Sequence, residues 1–250
     1  MKMTSFFRPA ALLVTLPAML AFSACSNDDD DNPAPQQGRV MITHVAAAVS
    51  GQVTAFVNDK QVGQLNYGQS SSYLGVDAGS PVFRINSGTQ EVTKKNITVA
   101  ANQNYSVFAY SPSAAIGSAE LISFTDDLTA PANGQAKIRL VHLGTAAPTP
   151  VRLSVPSLIV GTAPTDLTPD VAFGQASQFI SVNAGTAPAL AITNTDALRT
   201  TYLKVGDGTG SGTGTKTLEA GKIYTVLLRG IATAGAPTAQ QPQAVIIANN

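Results

Sequence analysis

GRVMITHV (Gly38 to Val45) is written a second time as AKIRLVHL (Ala136 to Leu143), 98 residues further on. In each version apolar residues alternate along the chain: Val40, Ile42 and His44 share one side, as do Ile138, Leu140 and His142. Successive side chains of an extended strand point to opposite faces, so this spacing predicts one half-buried strand made twice. The chain has 2 histidines, and they occupy equivalent places in the two versions.

Working outward, the neighbouring stretches repeat as well. NYGQSSSYLGVDAG (Asn66 to Gly79) matches AFGQASQFISVNAG (Ala172 to Gly185) at an offset of 106. ITVAANQNYSVFAY (Ile97 to Tyr110) matches KTLEAGKIYTVLLR (Lys216 to Arg229) at an offset of 119. The offset grows because the second copy carries longer loops, GTAPTDLTPD (161–170) and GDGTGSGTGT (206–215). His44 and His142, Gly68 and Gly174, Gly79 and Gly185, and Tyr105 and Tyr224 are therefore the hallmarks of a duplicated unit. The copies span 39–133 and 134–250, and the polar, turn-rich TDDLTAPANGQ (125–135) holds the boundary.

Each copy reads as strands. QVTAFVND continues the alternation with Val53, Ala55 and Val57, then turns at Asn58-Asp59. The DAG and NAG triplets suit turns that need positive φ. NYSVFAY and IYTVLLR are dense in β-branched and aromatic residues, and AELISF and QAVIIA read as closing strands. The expected fold is all-β: two tandem immunoglobulin-like β-sandwich domains of about seven strands each.

Composition agrees. Charged residues are 12% of the 250 and hydrophobic residues 44%, with 21 Gly and 15 Pro. That mixture suits short strands and many turns, and argues against coiled coils and charged disordered chains. The formal net charge is zero and no basic stripe with interleaved aromatics occurs, so no nucleic-acid partner is expected. A single cysteine rules out a disulfide framework within one chain, which leaves the core to hold the fold.

That cysteine has another role. Residues 1–24 combine Lys2 and Arg8 with an uncharged apolar run from Ala10 to Phe22, the pattern of a signal peptide. The run is too short for a bilayer that needs about 20 apolar residues. AFSAC ends at Cys25 and resembles a bacterial lipoprotein lipobox, which implies lipidation of Cys25. Residues 25–38 then form a lipidated start and an acidic tether reaching at most about 45 Å. Asp28, Asp29, Asp30 and Asp31 resemble the export signal of surface lipoproteins in some Gram-negative lineages, and a plain spacer is the competing reading. The expected location is the cell envelope, anchored to the outer membrane at the cell surface, with the periplasmic face as the alternative.

The stretches KIRLVHLGTAAPTPVRLSV, FGQASQFISVNAG and LEAGKIYTVLLRG resemble the domain-of-unknown-function family 4397, in two tandem copies. The second copy carries the pattern more closely, because the first lacks the Gly before NYSVFAY and the Pro-containing loop after its histidine strand. The resemblance implies a β-sandwich in a secreted or lipid-anchored envelope protein and no established activity.

Candidate chemistry is sparse. His142 and His44 read as structural residues that hydrogen-bond the loops that follow them. A catalytic histidine would need a nucleophile and an orienting carboxylate, and a metal site would need clustered ligands. Tyr105, Tyr224, Tyr67 and Phe173 read as core aromatics, with a sugar-stacking platform as the functional alternative. GDGTGSGTGTKT lacks the adjacent Gly-Lys of a phosphate loop and reads as a hairpin loop. Asp126 and Asp127 are adjacent, so on a strand they face opposite sides. No Gly-x-Ser-x-Gly elbow is present. No cofactor and no metal is expected, and no enzyme activity. The expected role is a non-catalytic binding, adhesion or structural one, with a glycan or an envelope protein as partner. The alternatives are an accessory subunit of an envelope complex and, behind it, an uncharacterised hydrolase.

Overall fold

Central strands that are apolar on both faces need cover on both faces, and the architecture supplies it. The computed structural model describes residues 35–49, 51–159, 162–185, 189–206 and 216–250. The signal peptide, Cys25, Asp28 to Asp31 and the loop residues 207–215 lie outside the described residues.

The first half contains β1 (Gln37–Val45), β2 (Val53–Val57), β3 (Lys60–Leu65), β4 (Leu74–Asp77), β5 (Val82–Ser87), β6 (Gln90–Asn96), β7 (Asn104–Tyr110) and β8 (Glu120–Asp126). The second contains β9 (Gln135–His142), β10 (Arg152–Val155), β11 (Thr165–Asp166), β12 (Gln175–Ala176), β13 (Ile180–Asn183), β14 (Ala191–Thr193), β15 (Thr201–Gly206), β16 (Ile223–Arg229) and β17 (Gln243–Ala248). The described residues thus hold eight and nine strands instead of the expected seven each, and no α-helix. β8 also runs two residues into the expected linker, to Asp126, so the connection is 127–134.

The order β4-β1-β7-β8 forms one sheet and β3-β2-β5-β6 another. In the second half β13 and β12 flank β9, followed by β16 and β17, while β11-β10-β14-β15 continues the same sheet through a parallel β15–β17 pair. β1 pairs β7 in parallel, with Val40 opposite Tyr105, and β9 pairs β16 in parallel, with Ile138 opposite Tyr224. The two halves therefore share one strand order and one register.

Each half has its own core. Val40, Ile42, Val53, Ala55, Phe83, Ile85 and Val107 pack together in the first, and Ile138, Leu140, Leu153, Ile192, Val226 and Leu228 in the second. A third core joins Val45, Phe108 and Tyr110 to Val141, Leu143, Leu227 and Val245. It lies on the opposite faces of β1, β7, β9 and β16. The sequence reading left those faces to solvent, but Met41, Thr43, Arg139 and Val141 are all buried. Residues 35–250 accordingly form one compact unit.

The repeated local motifs act as fold devices. Ser71 Oγ accepts the Ile42 N–H at 2.9 Å and Ser177 Oγ accepts that of Leu140 at the same distance, each capping a gap in strand pairing. Gly68 and Gly174, at φ +88° and +76°, donate to the carbonyls of His44 and His142 at 2.7 and 2.8 Å. The φ of +47° at Asn58 and +62° at Asp59 makes the expected tight turn of the β2–β3 hairpin.

Candidate binding cleft between the halves

The bottom of the junction is a ring of side chains drawn from both halves. β9 carries Arg139 into the interface, where β8 presents Asp126; Arg139 Nη2 lies 2.6 Å from Asp126 Oδ1, with the side chains 1% and 0% exposed. Arg139 Nε donates to Thr225 Oγ1 at 3.0 Å, and Thr225 donates to Asn249 Oδ1 at 2.8 Å. Asn249 Nδ2 donates to Tyr73 at 3.1 Å, and Tyr73 donates to Asp126 Oδ2 at 2.5 Å, which closes the ring. Ser106 adds a second hydroxyl to Asp126 Oδ2 at 2.6 Å. Buried charges persist when they are paired: Asp126 Oδ2 accepts both hydroxyls, while Oδ1 is served by the Arg139 ion pair and makes no bond of full hydrogen-bond geometry. Burial pushes the Arg139 guanidinium below its ordinary value while Asp126 opposes that shift. Burial, reinforced by the Asp126 charge, pushes the Tyr73 phenol up.

Above the ring opens a cleft of about 520 Å³. The turn before β7 supplies Asn102 and Gln103, and β7 begins with Asn104. The opposite wall is Gln178 and Phe179, from the segment between β12 and β13. Phe179 lies on the Arg139 guanidinium, 4.4 Å from carbon to ring centroid, and stays partly exposed. The side-chain amides of Asn102, Gln103, Asn104 and Gln178 bond no other described residue. The charged groups of the wall are already paired: Arg139 with Asp126, and Asp127 with Lys137 at 2.7 Å. Hydrogen bonds from Lys137 and Thr129 hold the exposed Asp127 carboxyl down at about 2. Asp127 lies just past the end of β8, so the alternation expected of adjacent strand residues does not apply, and Asp126 and Asp127 both line the cleft, paired with Arg139 and Lys137 of β9.

None of the repeat hallmarks lines this cleft. His44 and His142 are fully buried. His142 Nε2 bonds the Pro148 carbonyl oxygen of its own following loop at 3.1 Å and stacks edge-on to Phe173. His44 sits edge-on to Tyr67. The nearby Gly51 backbone favours its charged form, yet neither ring nitrogen makes a bond of full hydrogen-bond geometry. Burial lowers His44 to about 4 and lowers His142 in the same direction. Tyr105 and Tyr224 accept backbone N–H bonds from Ala100 at 3.1 Å and Glu219 at 3.2 Å, five residues back in each half. That is the geometry of a tyrosine corner. Gly79 and Gly185 turn the chain at φ +137° and +77°. Among the described residues no group of three or more His, Cys, Asp or Glu is arranged to hold a metal ion.

The cleft residues were missed in the sequence because they come from four distant segments. Of the cleft residues the sequence singled out Asp126 and Asp127, and nothing in it marked Arg139 as the partner of Asp126.

Fold and site together describe an all-β, sandwich-like protein. Residues 38–150 match the sequence model of a family described as a domain of unknown function (DUF4397). The matched span covers the first half, β9 and the loop after it, whereas the sequence reading placed the closer likeness in the second copy. No curated protein matches the chain.

Proposed function

We propose that the chain is a lipid-anchored envelope protein with a non-catalytic binding role, built from two tandem immunoglobulin-like β-sandwich domains of that family. Its ligand is a neutral carbohydrate held in the cleft between the halves. The observation that carries this reading is the cleft wall: four side-chain amides that bond no other described residue, beside a partly exposed aromatic ring, with its charged groups already paired. Amides offer donors and acceptors to hydroxyls, an aromatic face packs the apolar side of a sugar, and domain junctions are common ligand sites. A non-catalytic role is supported by the burial of both histidines, which keeps them from a bound substrate. Cys25 supplies the membrane attachment and the acidic stretch after it the tether, at the outer membrane.

The test uses the Cys25→Ala chain on an array of neutral oligosaccharides, followed by calorimetric titration of hits. Gln103→Ala and Gln178→Ala should each weaken binding about fivefold at unchanged melting temperature, since a lost hydrogen bond is worth about 1 kcal/mol. Hits whose affinity both variants retain would move the site elsewhere, and an array without hits would remove the carbohydrate. Protease shaving of intact cells, comparing wild type with Asp28–Asp31 changed to Ala, reads the membrane face. A second reading, as accessory subunit of an envelope complex, draws on Ile116, fully exposed at the rim of a small depression lined by Ala47, Ala48, Ala114 and Ile231.

A further inference from the structure

The junction of the halves is built on equivalent strand positions of the two copies, and its buried ion pair occurs at one place without a counterpart at the equivalent one. Equivalent strand positions follow from the shared register: Ser106 and Thr225 lie opposite Met41 and Arg139, the equivalent residues of β1 and β9. Asn104 pairs with Asp126 in the first half, and the Ile223 carbonyl accepts the Asn249 N–H in the second, so Asp126 and Asn249 are equivalent too. At one end of the junction Arg139 meets Asp126. The equivalent positions hold Met41 and Asn249, both buried.

We propose that this asymmetry makes the two faces an obligate complementary pair: each docks on the other and rejects a copy of itself. A first-half face docked on a second first-half face would set each Asp126 against Met41, two buried carboxylates without a cation. A second-half face docked on its like would set each Arg139 against Asn249, two buried guanidiniums without an anion. A buried charge deprived of its partner is strongly destabilising, whereas the paired arrangement is tolerated. The apolar residues of the junction carry no such discrimination, because Phe108, Tyr110 and Val45 on one side and Leu227, Val141 and Leu143 on the other would pack against either face. The partner this surface fits is therefore the opposite half, of the same chain or by reciprocal exchange of a neighbouring one. Chains crowded on one membrane stay unassociated through this face.

The test uses the full Cys25→Ala chain with a protease site inserted in the exposed connection at 130–133. After cutting, the two fragments of the wild type should remain associated as a 1:1 pair on size exclusion, with no homotypic pairs. Arg139→Asp and Asp126→Arg should each weaken the association about a hundredfold or more, and the combined Asp126→Arg/Arg139→Asp exchange should recover most of it. Circular dichroism of the uncut chains checks that each variant folds, and Asp126→Asn with Arg139→Met serve where a reversal does not. Homotypic pairs from the wild type, single variants that bind as tightly as wild type, or an exchange variant no better than either single change would each overturn the proposal.

Discussion

Lowering the pH from 7.5 to 5 probes the burial of His44. The side chain is fully buried, and desolvation together with the nearby Arg229 charge lowers it from 6.5 to about 4. Tyr67 faces it edge-on at 5.8 Å and Arg229 stacks on that ring at 4.6 Å, so no anion adjoins it to favour protonation. A group whose folded value is depressed gives stability that is whole above its unfolded value and is lost as pH falls toward the folded one. For His44 that window runs from 6.5 down to about 4. At pH 5 most unfolded chains carry the proton and few folded ones do, which costs about 2 kcal/mol relative to pH 7.5. For a body of this size that is a fall of about 4–8 °C in melting temperature. His142 shifts in the same direction and adds to the loss. The measured range, pH 7.5 to 5, is dominated by the 2 histidines because carboxylates ordinarily titrate below it and amines above it. The assay is calorimetric melting of the Cys25→Ala chain at half-unit pH steps, alongside His44→Gln. The wild type should lose stability steadily below pH 6.5, and His44→Gln should lose a large part of that slope whatever its stability at pH 7.5. A wild-type melting temperature constant to within about 1 °C from pH 7.5 to 5, or an unchanged slope in His44→Gln, would refute the reasoning.

Two further predictions concern the repeated motifs. Gly68 and Gly174 share positive φ, but a Cβ at Gly68 would lie within 2.4 Å of Arg229 Nη1 while one at Gly174 meets nothing within 4 Å. Gly174→Ala should therefore cost about 1 kcal/mol of backbone strain, and Gly68→Ala more, with part of the excess recovered in an Arg229→Ala background; urea denaturation of the set decides. Tyr224→Phe removes the acceptor of the Glu219 N–H and should cost about 1 kcal/mol, lowering the melting temperature by about 2–4 °C, with cleft binding unchanged because Tyr224 lines no part of it.

Local signals made the strands and turns readable. The alternation in GRVMITHV and AKIRLVHL, the glycines at 68, 79, 174 and 185, and the Asn58-Asp59 turn each constrain a few neighbouring residues, and all appear where the sequence placed them. Both histidines were expected to bond the loops that follow them: His142 does, whereas His44 is buried without a bond of full hydrogen-bond geometry. Strand number was less legible, since two-residue strands such as β11 and β12 are created by pairing and not by their own residues.

What the sequence alone determined was the inner face of each half: a period-two apolar pattern commits one side of a strand to a core wherever that strand ends up. It said nothing about the other side. Met41, Thr43, Arg139 and Val141 look there like an ordinary mixture of polar and apolar residues, and only the docking of one half on the other buries them. The same docking turns Arg139 and Asp126 from two surface charges into the base of a cleft, and brings Asn102 and Gln103 to face Gln178 and Phe179. Periodicity is a property of a single strand, whereas which face meets which is a property of pairs of distant surfaces, settled by complementarity of charge and shape that no local stretch contains.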